Sequence, residues 1–266
     1  MAIALLKLVL TPLLVGGASL GARRWGPTVA GWIVSLPLTS GPVALFLALD
    51  RGPAFAAAAA HASLAGCVAI AGYCLAYARL APRGWPRALA ASAAGWLAGA
   101  LVGLLAGTAS VGATLGLAVA VAIAALALMP SATSSRGERP APRGELAMRM
   151  VVAAGVVIAV TAAAPVVGPA ASGLLAMLPI IGSILTVFAQ RAGGAPAAIG
   201  IQRGILSGLV GTAAFLAVVA ATIEPWGVLA AFGSAVVTVV VVQLTALRLM
   251  PRGVAGASLP VPDALA

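Results

Sequence analysis

Carboxylates are nearly missing from this sequence. Five Asp and Glu stand against fifteen Lys and Arg in 266 residues, and none of the five lies deep in an apolar run. That scarcity excludes paired-carboxylate acid–base chemistry and a carboxylate-lined cation site. Histidine occurs once, at His61, so no zinc-type cluster can be assembled. The only two cysteines, Cys67 and Cys74, share one apolar run. They would stand about 10 Å apart along a helix, too far for a disulfide, and both read as packing residues. Charge of either sign is rare: 8% of residues are charged and 62% hydrophobic, where soluble domains carry about 25% and about 45–50%. A chain this apolar cannot cover a water-facing surface. It also lacks a Walker phosphate-binding sequence and any loop able to house a nucleotide domain, which removes ATP-driven machinery. No metal or cofactor is expected, and too few titratable groups remain for an enzyme.

What the sequence has is apolar runs, each long enough to cross about 30 Å of hydrocarbon. A spanning helix satisfies its own backbone hydrogen bonds, so the expected fold is all-α, a polytopic membrane helical bundle. A β-barrel would need short alternating segments instead. Nine spans are expected, at about 3–21, 28–49, 53–79, 86–106, 108–129, 147–167, 170–189, 196–222 and 226–247. Gly107 to Gly112 reads as the turn that divides the long stretch from Pro86 to Met129. Lys7 sits inside the first run rather than ahead of it, so that run is expected to be a retained span and not a signal peptide.

The formal charge is +10 and the pI about 11.6. In a soluble protein that would point to nucleic acid, but here the basic residues sit mostly between apolar runs. Arg23, Arg24, Arg79, Arg83, Arg87, Arg136, Arg139, Arg143, Arg149, Arg191, Arg248 and Arg252 fall on alternate loops, and only Lys7 and Arg51 on the others. The positive-inside rule then sets a multi-pass protein of the plasma (inner) membrane, N-terminus outside and C-terminus cytoplasmic. The expected organisation is a first membrane half at 1–130, a cytoplasmic linker at 131–146, a second half at 147–250 and a disordered tail at 251–266.

A shift of 142 residues aligns 7–80 with 149–222. Gly26-Pro27 then meets Gly168-Pro169, Gly31 meets Gly173, Leu36-Pro37 meets Leu178-Pro179, and Phe46 meets Phe188. Gly52 meets Gly194, and Gly66 meets Gly208. Five spans separate the two starts, so the copies would insert upside down relative to each other, as in the inverted repeats of secondary transporters. The span at 86–106 finds no partner in this alignment, and the last span looks more like 108–129.

Pro37, Thr39, Ser40, Gly41 and Pro42 fall mid-span, and their counterparts include Pro179, Gly182 and Ser183. Proline removes a donor and clashes with the preceding turn, so both spans are expected to break near the bilayer centre. Such breaks free N–H and C=O groups that can hold a solute, and the hydroxyls add to them. His61 aligns with Arg203, each about 12 Å into its span and so expected near the midplane, with Gln202 and Gln243 also intramembrane. His61 reads either as a neutral imidazole bonded to a neighbouring helix or as a proton-sensitive group. Arg203 reads either as a snorkelling residue or as an anion clamp.

The expected function is a secondary-type transporter or permease, with export as one direction, for a small uncharged or anionic solute. Pro37, Thr39, Ser40, Gly41, Pro179, Gly182, Ser183, His61, Gln202 and Arg203 are its candidate substrate-binding residues. A lipid or polyprenyl-phosphate flippase and a non-transporting partner subunit are the alternatives. The expected partners are the lipid bilayer, a small-molecule solute and a second copy meeting through Gly- and Ala-rich helix faces, with no nucleic acid.

Overall fold

The computed structural model describes residues 32–106, 110–131 and 144–249. The first expected span at 3–21, Gly26-Pro27, Gly31, residues 107–109, most of the linker and the tail lie outside the described residues. Within them every element is helical: α1 Ser40–Arg51, α2 Pro53–Leu80, α3 Trp85–Ala106, α4 Val111–Leu128, α5 Glu145–Ala176 and α6 Ile180–Leu249. A 3-10 turn, Ala81–Arg83, joins α2 to α3. Four stretches are long and apolar enough to cross a membrane: Pro53–Arg83, Trp85–Leu105, Val111–Leu128 and the composite Ile158–Thr245. Leu97, Leu101 and Leu105 on α3 and Leu229, Val237 and Val241 near the end of α6 face outward. In water such surfaces would be a liability. This is a helical membrane protein.

The helices start and stop where glycine and proline dictate. Gly52, Gly84, Gly168, Gly194 and Gly227 all have φ between 75° and 96°, a region that few residues with a Cβ enter and that glycine takes at helix ends. Proline stands one or two residues after the first four of them, at Pro53, Pro86, Pro169 and Pro196. There its fixed φ suits a first helical turn and its missing N–H has no partner to lose. Glycine therefore divides α5 into 145–167 and 169–176, and α6 into 180–193, 195–226 and 228–249.

Contacts equidistant, to within a residue, from three of these glycines show that the chain reverses there. Gly72 meets Gly95 across Gly84, Thr186 meets Gln202 across Gly194, and Gly211 meets Gln243 across Gly227. The stretch from Pro86 to Met129 is likewise two helices, α3 ending at Ala106 and α4 starting at Val111, where Ser110 caps Ala113 N–H.

α2 is the central helix and packs against all five others. Its largest partner is α3, whose Gly95, Gly99 and Gly103 recur every fourth residue and let the two backbones touch. A Cβ at Gly95 would come within 2.6 Å of the Gly72 carbonyl oxygen, and one at Gly99 within 2.6 Å of the Val68 carbonyl oxygen. This is the small-residue packing of membrane helices, where close backbone approach replaces a hydrophobic driving force. The face is used within the chain. Cys67 and Cys74 are free and buried in the same core.

Gly95→Leu should force α2 and α3 apart and lower stability by about 1–3 kcal/mol, read as a lower thermal midpoint in detergent micelles. Gly116→Ala on α4, where an added Cβ meets open space, should leave the midpoint unchanged or slightly higher.

Candidate solute site at two helix breaks

Both mid-span prolines interrupt their helices. A single helical turn at 32–34 stops, residues 35–39 leave the helix, and α1 begins at Ser40. In the second case α5 stops at Ala176, residues 177–179 are non-helical, and α6 begins at Ile180. The two breaks share one hydrogen-bond pattern. In the first, the N–H groups of Ser35, Leu36, Leu38 and Gly41 donate to the carbonyls of Trp32, Ile33, Leu36 and Pro37, at 3.2, 3.1, 2.6 and 2.9 Å. In the second, Met177, Leu178, Ile180 and Ser183 donate to Leu174, Leu175, Leu178 and Pro179, at 3.0, 3.1, 2.8 and 2.7 Å. Each bond of one set is a bond of the other displaced by 142 residues.

Between the breaks lies a cavity of about 90 Å³, well above the ~10–15 Å³ that one water needs. Ser35, Leu38, Thr39 and Ser40 line it from the first break, and Met177, Pro179, Ile181 and Gly182 from the second. Ile70 of α2 and Ile205, Leu209 and Thr212 of the 195–226 segment complete the wall.

Two of the carbonyls freed by the breaks are met by side chains, and several of the N–H groups have no backbone acceptor. Thr212 Oγ1 donates to the Ser35 carbonyl, and Trp96 Nε1 donates to the Met177 carbonyl at 3.2 Å. The N–H groups of Thr39, Ser40, Ile181 and Gly182 have no backbone acceptor among the described residues. All four residues line the cavity, at the N-terminal ends of α1 and α6. Helix starts carry unmet donors and a partial positive charge. The mostly apolar wall thus carries helix-start donors that can meet an oxygen acceptor, beside the carbonyls of Val34, Leu38 and Ala176, which have no hydrogen-bond donor among the described residues.

Of the residues singled out from the sequence, Thr39, Ser40, Pro179 and Gly182 line this cavity. Pro37 lies in the first break, its carbonyl bonded to Gly41 N–H, and a Cβ on Gly41 would sit 3.6 Å from Phe215. Ser183 stands just behind the wall. Its hydroxyl donates to the Pro179 carbonyl at 2.6 Å, so the Tyr73 hydroxyl, 2.8 Å away, donates to Ser183. Gln202 is fully buried, with Nε2 donating to Thr186 Oγ1 at 3.1 Å.

His61 and Arg203 do not meet the cavity or each other. His61 Nε2 lies 2.9 Å from Thr114 Oγ1 near the start of α4. The Thr114 hydroxyl is engaged with the Ser110 carbonyl, so the imidazole supplies the proton and the ring carries it on Nε2. Arg203 Nη1 donates to the carbonyls of Met129 and Pro130 at 3.3 and 3.2 Å, just past the end of α4. Arg79 reaches Leu128 at the same end. A cation at carbonyls that close a helix is favourable, and its long stem lets the head stand far from its own backbone. The Arg203 guanidinium thus reaches the same end of α4 as that of Arg79.

Sequence reading missed Tyr73, Thr186, Gln190 and Thr212. Thr212 lines the cavity, and the other three continue its wall along their helices. No known protein family, characterised protein or solved structure matches the chain.

Arg203→Ala should strand the carbonyls of Met129 and Pro130 and lower stability by about 1.5–3 kcal/mol, the range for hydrogen bonds to a charged group. Denaturant unfolding in mixed micelles reads this, with Arg203→Lys retaining part of it.

Proposed function

We propose that this chain is a secondary-type transporter that binds a small uncharged or anionic solute in the cavity between its two helix breaks. The observation that carries the reading is the cavity itself, lined by both breaks and supplied with N–H donors from each. Discontinuous helices meeting around a central site are how secondary transporters expose backbone groups inside a membrane.

The proposed architecture is nine spans built as two inverted repeats, with the N-terminus outside and the C-terminus in the cytoplasm. Support for the repeat comes from contacts that recur with the partners exchanged. Cβ atoms built on Gly66 of α2 and on Gly208 in the 195–226 segment would crowd Met177 and Ser35, respectively. They would also crowd Leu174 and Trp32, in the same order. Tyr73 meets Ser183 as Phe215 meets Gly41. In every pair both residues move by 142. Each half thus covers the other half's break, which is what a two-fold axis between the halves requires. The repeat also extends to a third helix once one residue is inserted. Gly84 and Gly227 differ by 143, and 85–106 then falls on 228–249. Segments 32–51 and 169–193 stand five crossings apart and run in opposite directions. Arg79 and Arg203, both at the end of α4 that leads into the basic linker, agree with a cytoplasmic position for that end. Related packings on the two sides of one site give alternating access a simple form, in which one half rocks on the other.

Filling the cavity tests the reading. Thr39→Trp and Ile180→Trp, one from each break, should each cut solute flux in proteoliposomes at least about tenfold without loss of helical circular dichroism. Flux that survives in both would overturn it. The topology has its own test. Ser135→Cys should react with a membrane-impermeant maleimide only from the cytoplasmic side, the native cysteines being buried and silent.

A further inference from the structure

The two sides of the cavity are not chemically alike. From Ile70, α2 continues through Tyr73 and Tyr77. From Gly182, the 180–193 segment continues through Ser183, Thr186 and Gln190. From Ile205, the 195–226 segment continues back to Gln202. Apart from Ser183, which stands beside Gly182, each step of three or four residues follows one helix face. These residues interlock: Tyr73 with Ser183, Gln202 with Thr186, and Tyr77 with Gln190 at 2.8 Å. Gln190 Nε2 donates in turn to the Ala81 carbonyl at 2.7 Å. A polar track therefore runs from the cavity to the Ala81–Arg83 turn. The positions 142 residues away hold Phe215, Gly41, Ala44, Ala60, Val219 and Ala48. Every hydroxyl and amide of the track faces an apolar or missing side chain there. Phe215 also packs edge-on against Phe232, with ring centres 6.0 Å apart.

One atom of the track is left over. Thr186 Oγ1 spends its proton on the Gly182 carbonyl at 2.7 Å and can only accept from Gln202. That fixes the amide with Nε2 toward Thr186. Gln202 Oε1 is then a buried acceptor with no hydrogen-bond partner among the described residues, on a side chain with 0% exposure. Gln202 lies one turn from Ile205 of the cavity wall, just behind that wall. Buried acceptors are almost always satisfied, and an exception calls for a water or a ligand.

We propose that Gln202 Oε1 is a recognition group for a small uncharged solute, which meets it with an N–H or O–H and meets the helix-start N–H groups of the cavity with a carbonyl or hydroxyl oxygen. The proposal rests on the transport reading and names its substrate class: small amides, ureas and polyols. It favours the uncharged over the anionic solute. A bare anion would face an unshielded carbonyl dipole at Gln202, and Arg203 is turned away to the end of α4. The solute reaches the cavity along the polar track from the Ala81–Arg83 turn, and the Phe215 side is the seal.

The full chain in proteoliposomes, with urea and glycerol as neutral probes and methanesulfonate as the anion, tests this by light-scattering flux. Urea or glycerol should cross faster than in empty vesicles, and methanesulfonate should not. Gln202→Leu should lower the neutral flux at least about tenfold, and Thr186→Val, which frees the amide to turn, should lower it less. The thermal midpoint of Gln202→Leu should not fall, because the variant removes an unsatisfied acceptor. A purely structural glutamine would give the opposite pattern, a lower midpoint with unchanged flux. Neutral flux indifferent to Gln202→Leu, or methanesulfonate as the favoured probe, would overturn the substrate class and leave transport standing. If nothing crosses, saturation-transfer NMR with glycerol on the solubilised chain separates the two ideas. Binding lost in Gln202→Leu would keep the recognition group and sink transport, and no binding would sink both.

Discussion

A backbone N–H or C=O left without a partner in hydrocarbon costs several kcal/mol, and this chain interrupts two helices in its interior. The rest of the structure is arranged around that cost. Both breaks lie against α2 and the 195–226 segment, whose glycines let the irregular backbone approach: a Cβ on Gly66 would lie 2.9 Å from Met177 Cγ, and one on Gly208 would overlap Ser35 Oγ. The freed carbonyls of Ser35 and Met177 are each met by a side-chain donor, Thr212 and Trp96. These two donors come from different elements and different residue types, yet they serve equivalent positions. Such convergence is expected where the constraint is physical: any donor that reaches the carbonyl will do.

Meeting the Ser35 and Met177 carbonyls with side chains, while the N–H groups of Thr39, Ser40, Ile181 and Gly182 have no backbone acceptor among the described residues, has a chemical consequence. The cavity between α1 and α6 is left with open donors at two helix starts. An apolar seam with a symmetric kink would have closed over these groups or capped them with Ser and Thr, as Ser110 caps Ala113 N–H at the start of α4. Thr39 precedes α1 as such a cap would, yet its side chain makes no capping bond. A side chain able to cap the helix thus leaves its donors open on the cavity.

Much of the fold was legible because its punctuation is written in glycine and proline. The boundaries expected near 53, 86 and 196 follow Gly52, Gly84 and Gly194, where positive φ admits few other residues. The breaks were legible at Pro37 and Pro179 for the same reason. The polar side chains were less so. Depth along a helix can be counted from sequence, but the direction a residue faces and the length of its reach cannot. His61 meets a neighbouring helix, one of its two readings, but the sequence could not say which helix, nor where the Arg203 guanidinium ends. Their common partner is α4, which His61 meets at Thr114 and Arg203 just past the last turn, some 22 Å away at about 1.5 Å per residue. Tyr73 and Thr186 were overlooked because a hydroxyl on an apolar helix carries no signal until the helix it faces is known. The third helix of the proposed repeat was hidden by a single inserted residue between Gly84 and Gly227.

Inverted repeats make two sides of a site equivalent in backbone, so any difference between them must be written in side chains. In the proposed repeat the polar track is one such difference. Tyr73, Thr186, Gln190 and Gln202 have Phe215, Ala44, Ala48 and Ala60 at the corresponding places. The shared hydrogen-bond pattern keeps the breaks alike, and the substitutions make one approach hydrogen-bonding and the other dry. Apolar contacts at Phe215 and Phe232 are non-directional and can separate without stranding a polar atom. The Tyr77–Gln190–Ala81 chain cannot open without water or solute taking over its bonds. On the proposed transport reading the two gates therefore differ in kind: one is opened by hydration and the other by loss of packing. A carrier built from two copies of one fold would acquire its direction from that difference, with no change to the helices that form its site.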